Sequence, residues 1–212
     1  VYTIIDHPGC ISTTLTGIND VGQIVGYCEV GVTAGFVYDL TSQSFVDLNI
    51  PNSSATYPYG INDLGMVAGY YLGKAAEVGF VKSGSTLDTL HVPNASATLA
   101  YGITASGEAV GNVIIGAGYG RLLANAGEYK LIEIPKVPGA RVFGVSPEGA
   151  ALVGSSKDNS HAFISRGKNT VLLQPASAVF AAANGVNASG VVVGYFTDAA
   201  SATHGFTWTT LR

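Results

Sequence analysis

The sequence predicts an all-β fold, a five-bladed β-propeller with four antiparallel strands per blade, and three observations predict it. The tetrapeptide Gly-Ile-Asn-Asp at Gly17 to Asp20 returns at Gly60 to Asp63, then in altered form at Gly102, Gly144 and Gly185, at spacings of 43, 42, 42 and 41 residues. A fixed period of this length marks a stack of equivalent supersecondary units, so the 212 residues read as one domain of five repeats of about 42 residues. Within each unit, short β-branched and aromatic runs alternate with turn signals about every ten residues, as in closed all-β folds. No stretch holds a 3.6-residue apolar period, so helix should be nearly absent.

Each unit follows one order. The run ahead of the G-I/V-N turn is strand a. The turn ends in a second glycine (Gly22, Gly65, Gly107, Gly149, Gly190) at a position that wants positive φ, where glycine carries no Cβ penalty. Asn19, Asp20, Asn62, Asp63 and Asn187 are therefore turn formers rather than catalytic groups. A run ending in Val-Gly or Ala-Gly is strand b. Strand c opens at Gly35-Phe36, Gly79-Phe80, Gly120-Arg121, Ala162-Phe163 and Gly205-Phe206, and strand d ends near Pro8, Pro51, Pro93, Pro135 and Pro175. On this frame Tyr2 to Asp6 is a strand d without a blade, and Phe206 to Leu211 is a strand c without its strand d. The N-terminal strand is thus expected to complete the last blade and close the ring, which removes free edges.

Composition narrows the function. Only 11% of residues are charged, about half the usual share for a soluble domain, while glycine is abundant, a profile that suggests an extracellular protein. The net charge is -4 and no Lys/Arg cluster occurs, so the footprint for nucleic acid is missing. No apolar run approaches the ~18 residues of a membrane span, and Val1 opens the chain without a charged and then apolar leader, so it reads as processed or truncated. Cys10 and Cys28 lie in one repeat. They are either a disulfide, worth about 3 kcal/mol in the chain-entropy account, or two buried thiols packing as small hydrophobes.

These motifs resemble the bacterial extracellular HAF repeat family, whose units read approximately G-I-N-x-x-G-x-I/V-V-G, then G-H/F-A-F or G-F and a short aromatic hairpin. The resemblance covers all five units. It is clearest in Gly17 to Tyr27, in Gly60 to Tyr71 and in Gly185 to Tyr195, and the literal tripeptide stands once, at His161 to Phe163. The third unit departs most, with Gly120-Arg121 where Gly-Phe is expected. The resemblance implies a secreted or surface β-propeller and carries over no catalytic residues.

Function is expected on one face. The d-to-a and b-to-c loops of a propeller emerge together, and here the b-to-c loops vary freely while the a-to-b turns repeat. The candidate ligand-binding residues are Tyr57, Tyr59, Tyr101, Arg141, Phe143 and Asn184 along strand a, with Glu77, Asp158, His161 and His204 from the loops. Rings with Arg, Asn and carboxylates suit a glycan or another polar molecule, the rings covering apolar faces and the polar groups fixing orientation. The competing reading makes the loop carboxylates solvated charges and the strand-a rings inter-blade core. The histidines stand where other repeats carry Ala34, Val78 and Tyr119, and no metal-ligand spacing is present, so neither a metal site nor a cofactor is expected. There is no G-x-S-x-G nucleophile, and strand a has no Asp or Glu for glycoside hydrolysis. The leading expectation is a noncatalytic binder. A self-assembling structural subunit and a glycoside-active hydrolase are the alternatives.

Overall fold

The structure, a computed structural model, describes residues 3–116, 118–125 and 128–209. The described residues form nineteen strands and no helix. They fall into five consecutive antiparallel meanders, one per sequence repeat. The first is β1 (Ser12–Ile18), β2 (Gln23–Glu29), β3 (Thr33–Asp39) and β4 (Ser44–Leu48). The second is β5 (Ala55–Ile61), β6 (Val67–Leu72), β7 (Glu77–Ser83) and β8 (Thr86–Leu90). The third is β9 (Ala97–Ile103), β10 (Ala109–Ile115), β11 (Gly118–Asn125) and β12 (Glu128–Ile132). The fourth is β13 (Arg141–Val145), β14 (Leu152–Ser155), β15 (Ala162–Arg166) and β16 (Asn169–Leu173). The fifth is β17 (Ala178–Val186), β18 (Val192–Asp198) and β19 (Thr203–Trp208). Parallel bridges Thr33–Ala55 and Glu77–Ala97 join the first three, and they set each b-to-c loop beside the next d-to-a connection.

The repeated motif has a separate physical reason at each position. The third residue of the turn accepts a backbone amide ahead of strand b: Asn19 from Gln23 (2.7 Å), Asn62 from Met66 (3.0 Å), Thr104 from Glu108 (3.0 Å), Ser146 from Ala151 (3.0 Å) and Asn187 from Val191 (2.8 Å). Only short side chains carrying an oxygen reach back in this way, which is why Asn, Thr and Ser interchange there. Asn19 and Asn62 also donate from Nδ2 to the carbonyls of Asn62 and Thr104 in the following repeat, both at 2.9 Å. Gly22, Gly65, Gly107, Gly149 and Gly190 all have φ between 71 and 93°, as the turn requires.

The glycine that opens the motif serves another purpose. A Cβ on Gly17 would stand 2.5 Å from the Tyr59 carbonyl, on Gly60 3.2 Å from Gly102, and on Gly144 2.7 Å from the Asn184 carbonyl. Neighbouring a strands approach too closely for any side chain. The Val-Gly glycines Gly26, Gly69, Gly154 and Gly194 leave room for the rings of Phe36, Phe80, Phe163 and Phe206, which a Cβ would meet at 2.7 to 3.0 Å. The Gly-Phe motif of strand c and the Val-Gly motif of strand b are thus two halves of one contact.

Apolar clusters fill the junctions between meanders. Val25 packs with Ile61, Ala68 with Ala100 and Ile103, Val110 with Val142 and Val145, and Val153 with Ala183 and Val186. Four junctions are built this way, β2 on β5, β6 on β9, β10 on β13 and β14 on β17. Among the described residues the equivalent packing of β18 on β1 is not formed. Val193 is 47% exposed where Val25, Ala68, Val110 and Val153 are fully buried, and Leu15 and Ile18 are 44% and 64% exposed.

The expected closure by the N-terminal strand is not seen among the described residues: residues 3–7 form no strand, and the fifth meander has three. Val1, Tyr2 and residues 210–212 of that expectation lie outside the described residues. The chain from Ile5 to Cys10 is held instead on the first meander. The His7 amide donates to Thr13 Oγ1 (3.0 Å), its ring stands 4.6 Å from that of Phe45, and its Nε2 is 3.1 Å from Asp47 Oδ1. Cys10 and Cys28 are disulfide-bonded with Cα atoms 5.8 Å apart, which resolves the alternative left open by the sequence.

Buried Asn62 satisfies two amides of its own turn and one carbonyl of the next repeat. Asn62→Ala is expected to destabilise the chain by about 2 to 3 kcal/mol in urea unfolding, against about 1 kcal/mol for the exposed Asn187→Ala, because buried groups left without partners keep their desolvation cost.

Candidate functional site

The residue just before the opening glycine of each motif points to the centre of the arc. In order these are Thr16, Tyr59, Tyr101, Phe143 and Asn184, and all five wall one central cavity of about 470 Å3. Its other lining atoms come from the motif glycines and the apolar residues beside them, so among the described residues the wall contains no Asp, Glu, His, Lys or Arg. The rings pack edge to face, with Tyr59 to Tyr101 at 5.0 Å and Tyr101 to Phe143 at 5.6 Å. This geometry is favoured because the positive ring edge meets the negative face.

The aromatic row continues outward. Tyr59 and Tyr57 both stack on Tyr70, at 5.8 and 5.0 Å, and Tyr57 meets Tyr27 edge to face at 5.2 Å. Tyr57 and Tyr59 therefore share a side of the strand, as alternate positions do. Tyr27 and Tyr70 lie on strands b and were not among the residues expected from sequence. Their signal was their shared position in the Val-Gly-Tyr and Ala-Gly-Tyr segments of the first two repeats. Burial pushes the Tyr59 and Tyr70 phenols above their ordinary value, Tyr70 the further, with charge on Tyr59 and Tyr101 adding to the effect at Tyr70.

Sequence placed ten candidates together, and the structure divides them. Tyr59, Tyr101, Phe143 and Asn184 share the central cavity. Tyr57 and Arg141, both half-buried and one pleat nearer the loops, do not line it. Glu77 stands at the start of β7, near enough to Tyr70 to influence its phenol. Asp158 and His161 belong to a separate groove between the fourth meander and the connection that leads into it. His204 pairs with Asp198 at 3.2 Å and stacks on Phe196 at 4.9 Å, in the exposed outer part of the fifth meander. Asp158 and Asp198 accept hydrogen bonds within their own loops. Ser156 and Ser160 hold the Asp158 carboxyl down to about 2, and the amides of Ala202 and Ala200 together with His204 lower that of Asp198. These carboxylates act as loop staples.

The one group of metal-ligand type among the described residues is His7, Cys10 and Cys28. With the sulfurs bonded to each other, the set is a disulfide with a histidine against it, His7 Nδ1 lying 3.3 Å from Cys10 Sγ.

No protein-family model matches the sequence, and no characterised protein matches it closely enough to indicate a relationship. Solved structures do match. TolB from Acinetobacter baumannii superposes with a TM-score of 0.64 at 10% identity over 94% of this chain, which spans 55% of the length of that one. The nidogen structure solved with laminin gives 0.60 at 10% identity, covering 94% of this chain and 81% of that one. Aleuria aurantia lectin, in complex with Fucα1-6GlcNAc, gives 0.57 at 13% identity, covering 93% and 74%. At such identities the likeness concerns fold alone, and it makes this chain an all-β protein of the propeller type. Among the described residues no helix is long and apolar enough to cross a membrane.

A phenol whose pKa is raised in the folded state contributes stability below the unfolded value, about 10, and that stability is lost as pH rises through the folded value. Unfolding midpoints are therefore expected to fall above about pH 10, with part of the phenolate absorbance appearing only as the chain unfolds. Tyr70→Phe should flatten that decline, and an unchanged alkaline profile would contradict the burial of this pair.

Proposed function

We propose that the chain is a noncatalytic, secreted or surface β-propeller of the HAF repeat type that binds a glycan or other polar ligand. The observation that carries the reading is the convergence of Tyr59, Tyr101, Phe143 and Asn184 on one central cavity without a charged group among the described residues. Aromatic faces suit the C–H surfaces of a sugar ring, and Asn184 supplies hydrogen bonds that orient it. The disulfide supports an oxidising, extracellular setting, and a lectin solved in complex with Fucα1-6GlcNAc among the structural neighbours is consistent with a sugar ligand. The hydrolase alternative asks for two carboxylates about 5 to 9.5 Å apart around a bond. Among the described residues the central cavity has none in its wall, and the groove on the loop face has Asp158 alone.

The test is titration of the chain with a panel of neutral oligosaccharides, scored by calorimetry. A ligand should emerge whose affinity falls by more than about 1 kcal/mol in Tyr101→Ala or Phe143→Ala, as at aromatic hot spots. A panel without a single binder would remove the glycan reading.

A second reading concerns the ends of the arc. We take the five meanders to be five blades of one ring whose last junction joins the uncovered β18 face to β1, since Val193 there matches residues buried against the next repeat four times over. The same faces would serve self-assembly if they met between molecules. Leu15→Cys with Val193→Cys in one chain should give a bridged monomer on oxidation if the ring closes on itself. A mixture of the two single variants should give crosslinked dimers if chains assemble head to tail. Absence of both products would contradict either junction.

A further inference from the structure

A second concavity lies on the loop face, apart from the central cavity and from the reading given to it. It is an open groove of about 560 Å3 between the connection that leads into the fourth meander and that meander itself, with Lys136, Val137 and Pro138 from the connection and Lys157, His161 and Leu172 from the meander. Val137 is buried and forms its floor, while Pro138 and Leu172 leave apolar surface exposed at its edge.

Three features show that the basic groups are placed. Each connection from strand d to strand a contains one non-glycine residue in the left-handed region, which is Asn52 (φ 62°), Asn94 (φ 62°) and Ser177 (φ 65°) elsewhere but Lys136 (φ 66°) here. Asparagine tolerates that conformation and lysine does so poorly, so the turn gives up its favoured residue for an amine. Second, the aliphatic stem of Lys157 lies over Gly139, whose missing side chain would stand 3.0 Å from Lys157 Cδ, so the stem runs along the groove wall. Third, the only carboxylate in the lining among the described residues, Asp158, has one oxygen taken by the Ser156 hydroxyl (2.6 Å) and by the Ser160 hydroxyl and amide (2.8 and 3.1 Å). Neither lysine enters an ion pair among the described residues. The His161 ring stands beside them with Nδ1 2.7 Å from Ser160 Oγ.

We propose that this groove is a second ligand site, for an acidic saccharide, whose carboxylate lies between the Lys136 and Lys157 ammonium groups while its sugar ring rests on Pro138 and Leu172. Two cations around one anion over an apolar floor select charge and ring together. The neutral central cavity has no means of doing so.

The probe is oligogalacturonate, set against the same oligomer with its carboxyls methyl-esterified. The intact chain should bind the acid form at least tenfold more tightly, with affinity falling as salt is raised. Lys136→Asn is the decisive variant, because it restores the residue that the first two connections use at this turn. It should leave the melting temperature equal or higher and weaken oligogalacturonate at least tenfold, and Lys157→Gln should act in the same direction. Tyr101→Ala, in the central cavity, should leave this binding unchanged, which separates failure here from failure of the central site. Equal affinity for the esterified oligomer, undiminished binding by Lys136→Asn, or no binding of oligogalacturonate would each overturn the proposal.

Discussion

Everything in this fold depends on how closely one repeat's first strand approaches the next. At Gly17, Gly60, Gly102 and Gly144 the neighbouring backbone, or a neighbouring side chain, stands where a Cβ would be, so the central a strands meet with nothing between them. Such an approach is open to glycine alone, and it explains why the motif's first letter never varies although its third does. Once the a strands are drawn together, the b strands must cover one another's apolar residues. The junctions of Val25, Ala68, Val110 and Val153 with the following repeat are the result. Gly185 tests the rule from the other side. No following repeat stands against it, and its missing Cβ would meet only Val193 of its own sheet, at 3.3 Å.

The same constraint produces the central cavity. Because glycines occupy the contact, the residue before each of them must point inward, and five such positions converge on one space. Their size then decides what the space can hold. Thr16 and Asn184 keep it open on one side, and Tyr59, Tyr101 and Phe143 line the other with rings. The turns beyond are filled by backbone-satisfying Asn, Thr and Ser, whose side chains are spent on their own amides. Chemistry is therefore left to the inward positions and to the loops that vary.

Much of the architecture was legible in the residues. Strand order, the positive-φ glycines and the near absence of helix follow from local rules that operate within a dozen residues, and the meanders β1–β4 through β17–β19 reproduce them. Of the candidate residues, Tyr59, Tyr101, Phe143 and Asn184 proved to be neighbours because repeat equivalence transfers directly into a shared radius. Asp158, His161 and His204 were grouped with them on the strength of a common face. A face is wider than a site, and the structure puts Asp158 and His161 in a groove of the fourth repeat and His204 on strand β19 of the fifth. Tyr27 and Tyr70 escaped notice because they belong to strand b, where an aromatic looks like ordinary core until its partners across the junction are known.

The sequence by itself determined the repeat, its period and the four-run grammar seen in the first four units, since each rests on backbone sterics or on alternation along a strand. Tertiary structure alone decided three things. The opening glycines answer a backbone that lies a whole repeat away, which no local rule contains. The N-terminal residues lie on the first meander because Cys28, Phe45 and Asp47 lie within reach of Cys10 and His7. The lysines at 136 and 157, remote in the chain, border one groove because a d-to-a connection and the next b-to-c loop emerge side by side. Each is a contact between segments that folding brings together, and the physical reason they could not be read earlier is that distance along the chain carries no information about distance across a junction.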